Sequence, residues 1–155
     1  MKKINYLILL LVVIVGVSCE PTYVKEYSWA YPVAGDWTLR PYVAGVEVAG
    51  GPFEFKTYNS AFGKDSVWLD DYATTSSNGH FWSFKIKVAV DMTAKTFSTT
   101  GSKNTITGYP INIIVTNGKI VNNDSITMDV EFGDDPGKIY QLAGHRTTSY
   151  EEYVQ

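Results

Sequence analysis

The chain has 155 residues, 13 of them basic and 16 acidic, for a net charge of −3, and 45% are hydrophobic. That length is one domain's worth, and without a basic run the chain is a poor candidate for nucleic acid, whose binding rests on neutralising phosphates. The single cysteine, Cys19, has no partner for an internal disulfide, and two histidines far apart in the chain, His80 and His145, do not make a zinc site.

The first element is a leader. Lys2 and Lys3 precede an apolar run from Tyr6 to Val17, broken only by Gly16. The run is short for a bilayer span, which needs about 20 apolar residues, and it fits the apolar region of a secretory signal. It ends Gly16-Val17-Ser18-Cys19, which resembles the lipobox of bacterial lipoproteins, with Gly16 where leucine is usual. The resemblance implies cleavage before Cys19 and lipidation of its thiol and new amino terminus. Several acyl chains at about 0.8 kcal/mol per buried CH₂ would hold the protein on a membrane. The expected division is a signal peptide over 1–18, a lipidated tether over 19–34 and a folded domain over 35–155. Removing Lys2 and Lys3 leaves 11 basic residues against 16 acidic ones, a net charge of −5. Charge is therefore a poor means of holding the domain on anionic lipid, and the membrane contact falls to Cys19.

The tether, punctuated by Pro21 and Pro32, is dense in aromatics, with Tyr23, Tyr27, Trp29 and Tyr31, and some of these are expected to lie against the domain. Gly35 opens the first predicted strand, to Val43. Glycines and Pro52 break the chain before a strand at Phe53–Tyr58, and Gly63-Lys64-Asp65 precedes another at Ser66–Tyr72. After a polar loop over 74–79, His80–Asp91 is the longest strand candidate: Trp82, Phe84, Ile86, Val88 and Val90 alternate with Ser83, Lys85 and Lys87, a period of two. Short strands are predicted at Lys95–Thr100, Thr105–Thr107 and Ile111–Thr116. Asn117-Gly118 reads as a type I′ hairpin turn, with Lys119-Ile120-Val121 returning from it. Asn122-Asn123 turns into Asp124–Phe132, where Ile126, Met128, Val130 and Phe132 share one face. Gly133–Gly137 is a loop, and the last strand is Lys138–Thr148.

No segment has a convincing amphipathic helical pattern. Sequential strands with short turns imply antiparallel pairing in a meander of eight to ten strands. Closing that meander into a β-barrel removes both open edges; a two-sheet sandwich is the alternative.

At Gly35-Asp36-Trp37 the chain resembles the calycin superfamily of lipocalin-like barrels, whose signature is Gly-x-Trp on the first strand and an arginine on the last. Arg146, in Gly144-His145-Arg146-Thr147, stands where that arginine belongs. The resemblance implies that its guanidinium packs across the Trp37 indole and closes one end of the barrel, a cation–π contact with hydrogen bonds to nearby carbonyls. Over the mature chain the sequence is similar to a narrower group, the Gram-negative lipoproteins labelled "lipid-binding putative hydrolase". The features are Tyr31 with Gly35-Asp36-Trp37, Tyr58-Asn59-Ser60, Val67-Trp68-Leu69-Asp70, and Gly144-His145-Arg146-Thr147 with Tyr150-Glu151-Glu152. This implies a lipocalin-like barrel that binds a lipid or small apolar ligand at the cell envelope, anchored in the outer membrane. No catalytic residue is carried over.

In such a barrel one parity of each strand lines the interior, which either fills with side chains or holds one small ligand. The expected lining is Trp82, Phe84, Ile86 and Met128, with Tyr58, Trp68 and Tyr109 nearest an opening. Four Trp, eleven Tyr and seven Phe favour an apolar pocket. A filled barrel serving as a structural or interaction lipoprotein is the second reading. The third is an esterase-like hydrolase. It lacks a Gly-x-Ser-x-Gly elbow, and a set assembled from Ser83, His145 and Asp129 would have to converge in the fold. Asp70 and Asp71, adjacent on a strand, point to opposite faces and form no carboxylate pair. No cofactor or metal is implied, since the loop at Gly133–Gly137 lacks the ligand spacing of a calcium loop.

Overall fold

The computed structural model describes residues 27–60, 63–72 and 79–147. The expected leader, Cys19 and Tyr150-Glu151-Glu152 lie outside the described residues. Nine strands are present among them: β1 (Gly35–Val43), β2 (Val46–Glu47), β3 (Phe53–Asn59), β4 (Ser66–Asp70), β5 (Lys85–Asp91), β6 (Thr96–Lys103), β7 (Asn112–Val121), β8 (Ser125–Phe132) and β9 (Tyr140–Arg146). All pairings are antiparallel, and β1 pairs with β9 as well as β3, from Trp37↔Arg146 to Tyr42↔Gln141. The meander therefore closes into an eight-stranded lipocalin-like barrel, with the two-residue β2 folded onto the end of β1. The sandwich alternative is excluded by the β1–β9 ladder.

The alternation read from the sequence sets the inside. Trp37, Leu39, Phe55, Val67, Leu69, Ile86, Val88, Ile113, Val115, Ile126, Met128, Val130 and Phe132 are buried along one parity of their strands. The parity switches within β7: Ile113 and Val115 point inward before Asn117-Gly118, and Ile120 after it. Asn117-Gly118 is thus a bulge inside a single strand and not a hairpin turn. The register runs Thr116↔Asp129 and then Lys119↔Thr127, one residue extra on β7. Asn117 has φ of 54°, which both a type I′ turn and this bulge demand, so the local signal was real and its meaning was not. At Gly118 a Cβ would lie 2.4 Å from the Phe97 carbonyl oxygen, so only glycine lets β6 approach there.

Two other strand expectations differ. His80–Phe84 does not continue β5, and Thr105–Thr107 is part of the β6–β7 connection. The reason lies in side-chain hydrogen bonds to their backbone, described below.

Candidate functional site

One end of the barrel, the floor, is sealed. The Arg146 guanidinium sits 4.4 Å from the Trp37 ring centre, with Nη1 donating to the Ala34 carbonyl at 2.8 Å and Nε to the Asn123 carbonyl at 3.1 Å. Trp37 Nε1 donates to Thr57 Oγ1 at 2.8 Å, and that hydroxyl donates to the Val33 carbonyl at 2.6 Å. Ala30 and Val33 are fully buried, so the stretch from Ser28 to Ala34 packs as a plug under the strands. Gly35 is explained by the same contact: a Cβ there would be 2.1 Å from Arg146 Nη1.

The opposite end, the mouth, is closed differently. After β4 the chain returns across the opening as a cap, residues 79–84, before it enters β5. Phe81 and Trp82 lie over the aperture and meet Phe53, Phe132 and Tyr140; Trp82 stacks on Phe132 at 4.3 Å between ring centres, 9° from parallel. What holds the cap is a buried carboxylate. Asp71, 2% exposed, accepts the backbone N–H of Trp82 at 2.9 Å, of Ser83 at 3.1 Å and of Phe84 at 2.5 Å. Ser83 presents its N–H with φ of 55°, a left-handed conformation uncommon outside glycine. Those bonds draw 82–84 off the sheet and end the strand that alternation alone predicts. Burial pushes the Asp71 carboxyl above its usual range, against the three N–H donors and His80, which draw it down. The His80 ring nitrogen Nδ1 lies 2.5 Å from the Asp71 carbonyl oxygen.

The cap is also tied to its neighbours. The buried Asn104 accepts from Lys85 N at 2.9 Å and Ile106 N at 3.3 Å, and donates to the Ser83 carbonyl at 3.3 Å. These bonds hold 104–106 as a loop. Trp82 Nε1 donates to Tyr109 Oη at 3.0 Å, and Tyr109 donates in turn to Asp134. Burial and Asp134 raise the Tyr109 hydroxyl pKa.

Below the cap the interior is packed. The space left among Leu39, Phe53, Phe55, Phe81, Phe84 and Leu142 is about 10 Å³, no more than one water needs. Phe84, Ile86 and Met128 point into this core and are fully buried, and Trp82 roofs it. Tyr58 and Trp68 do not stand at the opening. They face outward, opposite each other across β3 and β4, because Thr57 and Leu69 take the inward parity. There Tyr58 Oη donates to Asp70 at 2.6 Å, and Lys85 and Lys87 lie 5.2 and 5.1 Å from the Trp68 ring. Tyr109 is at the mouth.

Ser83, His145 and Asp129 do not converge. Ser83 is in the cap, His145 lies near the floor on β9 opposite Ser125, and Asp129 holds Asn117 on the outside of β8. The residues that build the mouth, Asp71, Asn104 and Phe81, carried no motif. Their one sequence signal is an acid, Asp71, directly after β4, and it is spent on backbone and not on chemistry.

A closed antiparallel eight-strand barrel with a guanidinium-capped tryptophan at one end and an aromatic cap over the other is a lipocalin-like barrel. A family model described as "Lipid-binding putative hydrolase" matches residues 22–151. The chain belongs to that family. No curated protein matches the chain.

Proposed function

We propose that the protein is a lipid-anchored barrel of the bacterial envelope that binds one apolar chain of a lipid, or a small apolar molecule, beneath the cap at its mouth. The observation that carries this is the asymmetry of the two ends. The floor is closed by the plug from Ser28 to Ala34, the fully buried Trp37 and a guanidinium laid across it. The mouth is closed by a crossing segment whose aromatic side chains sit on an aromatic well and whose backbone hangs on one carboxylate and one asparagine. Burial of ligand surface in place of Phe81 and Trp82 would supply about 25 cal/mol per Å². The leader and Cys19 support delivery to the outer membrane of a Gram-negative cell.

The packed interior favours a second reading, a filled barrel that serves as an interaction lipoprotein. Hydrolysis has the family description behind it, but Ser83, His145 and Asp129 lie on different parts of the barrel.

Mass spectrometry of the protein extracted from membranes under native conditions tests anchor and ligand together. The expected mass is that of a chain beginning at an acylated Cys19, with an apolar molecule released on denaturation. An unmodified chain removes the anchor; a bare barrel favours the second reading.

A further inference from the structure

The groups that line the mouth restrict which amphiphile can enter it. Asp71 and Glu54 line the space beneath Phe81, together with apolar side chains and no basic one. The cations nearby are engaged on the outer side: Arg40 with Glu47 at 2.6 Å, Lys85 with Asp70 at 3.4 Å and Lys138 with Asp135 at 3.6 Å. A ligand that lifts the cap takes from Asp71 the three backbone N–H groups that satisfy it. The carboxylate is then buried without donors, which is costly unless the ligand replaces them. A hydroxyl, amide or ammonium head can do so. A carboxylate or phosphate head brings a like charge into the same apolar surround.

We propose that the mouth selects single-chain amphiphiles whose head donates hydrogen bonds and carries no negative charge, with the head at Asp71 and the chain in the space Phe81 fills. This rests on the ligand-binding reading above. The reporter is the indole N–H resonance of Trp82 in the full chain, assigned with Trp82→Phe and titrated at neutral pH with decanol, decylamine and decanoate. Decanol and decylamine are expected to shift it with affinities at least about tenfold above that of decanoate. In Asp71→Asn the gap should fall within about threefold, while Asp70→Asn, whose buried carboxylate is held by Tyr58 and Lys85 and not by the cap, keeps it. Decanoate binding as tightly as the other two, or a gap that Asp71→Asn leaves unchanged, overturns the head-group proposal and leaves ligand binding standing. If Asp71→Asn does not fold, the order in the native chain decides alone. No shift with any of the three removes the ligand reading and this inference together.

Discussion

Gly35 and Gly144 show how one missing carbon serves closure at two different costs. A Cβ on Gly35 meets the Arg146 guanidinium, the far end of a long side chain, at 2.1 Å. A Cβ on Gly144 meets the Thr38 carbonyl oxygen at 1.9 Å, and backbone cannot swing aside. Gly35→Ala should therefore cost about 1–3 kcal/mol, the usual penalty of overpacking, because Arg146 leaves the Trp37 face. Gly144→Ala should cost more, because it parts β1 from β9. Urea unfolding followed by tryptophan fluorescence measures both, and a smaller loss at Gly144 than at Gly35 would mean the β1–β9 seam can relax. This part of the fold was legible. Gly-x-Trp and Gly-His-Arg are written in the chain because the close approaches they serve admit few residue types.

The elements divide by where their hydrogen bonds come from. Strands bonded along their length to neighbouring strands, such as β3 and β8, follow directly from period-two alternation. Three stretches did not, and each is governed by something remote. Asn117-Gly118 needs the same positive φ in a turn or a bulge, and only the pairing with β6 and β8 decides. Residues 80–84 alternate like a strand, yet Asp71 and Asn104 claim their backbone. Thr105–Thr107 loses its ladder to Asn104 and to the Lys85 carbonyl. The cap's dependence on Asp71 has a consequence in pH. Burial holds its carboxyl above the ordinary 3.8, so between that value and the raised one the folded protein binds a proton the unfolded chain lacks. The stabilisation from that proton is complete below about 3.8 and is lost as pH rises through the folded value. Stability of the native chain relative to Asp71→Asn, from urea unfolding at a series of pH values, should therefore increase on acidification, by about 1.4 kcal/mol per unit of upward shift. The neighbouring His80 works against this by drawing the Asp71 value down. A flat or opposite trend would mean that the three N–H donors and His80 outweigh burial.

At the scale of the whole molecule the barrel is a cup closed twice, and the two closures ought to respond differently to damage. Met128 is fully buried in the middle of the core. Met128→Ala should cost about 2–5 kcal/mol through the cavity it leaves, and a ligand at the mouth has no way to refill that space. Phe81 is half-buried in the cap, against Phe53 and Tyr140. Phe81→Ala should cost less, about 1–3 kcal/mol, since a ring only partly withdrawn from water loses only part of its burial energy. It also opens space where an alkyl chain can enter. A ligand that binds the folded state at a hundred times its dissociation constant returns about 2.7 kcal/mol. Decanol should thus restore most of the melting temperature lost in Phe81→Ala and little of that lost in Met128→Ala, as read by thermal unfolding with and without the alcohol. The contrast separates a cup that takes a guest from a solid barrel. In a cup the mouth is the one place where a missing ring can be replaced from solution. In a solid barrel both defects are simply holes, and decanol leaves both melting temperatures where the substitutions put them.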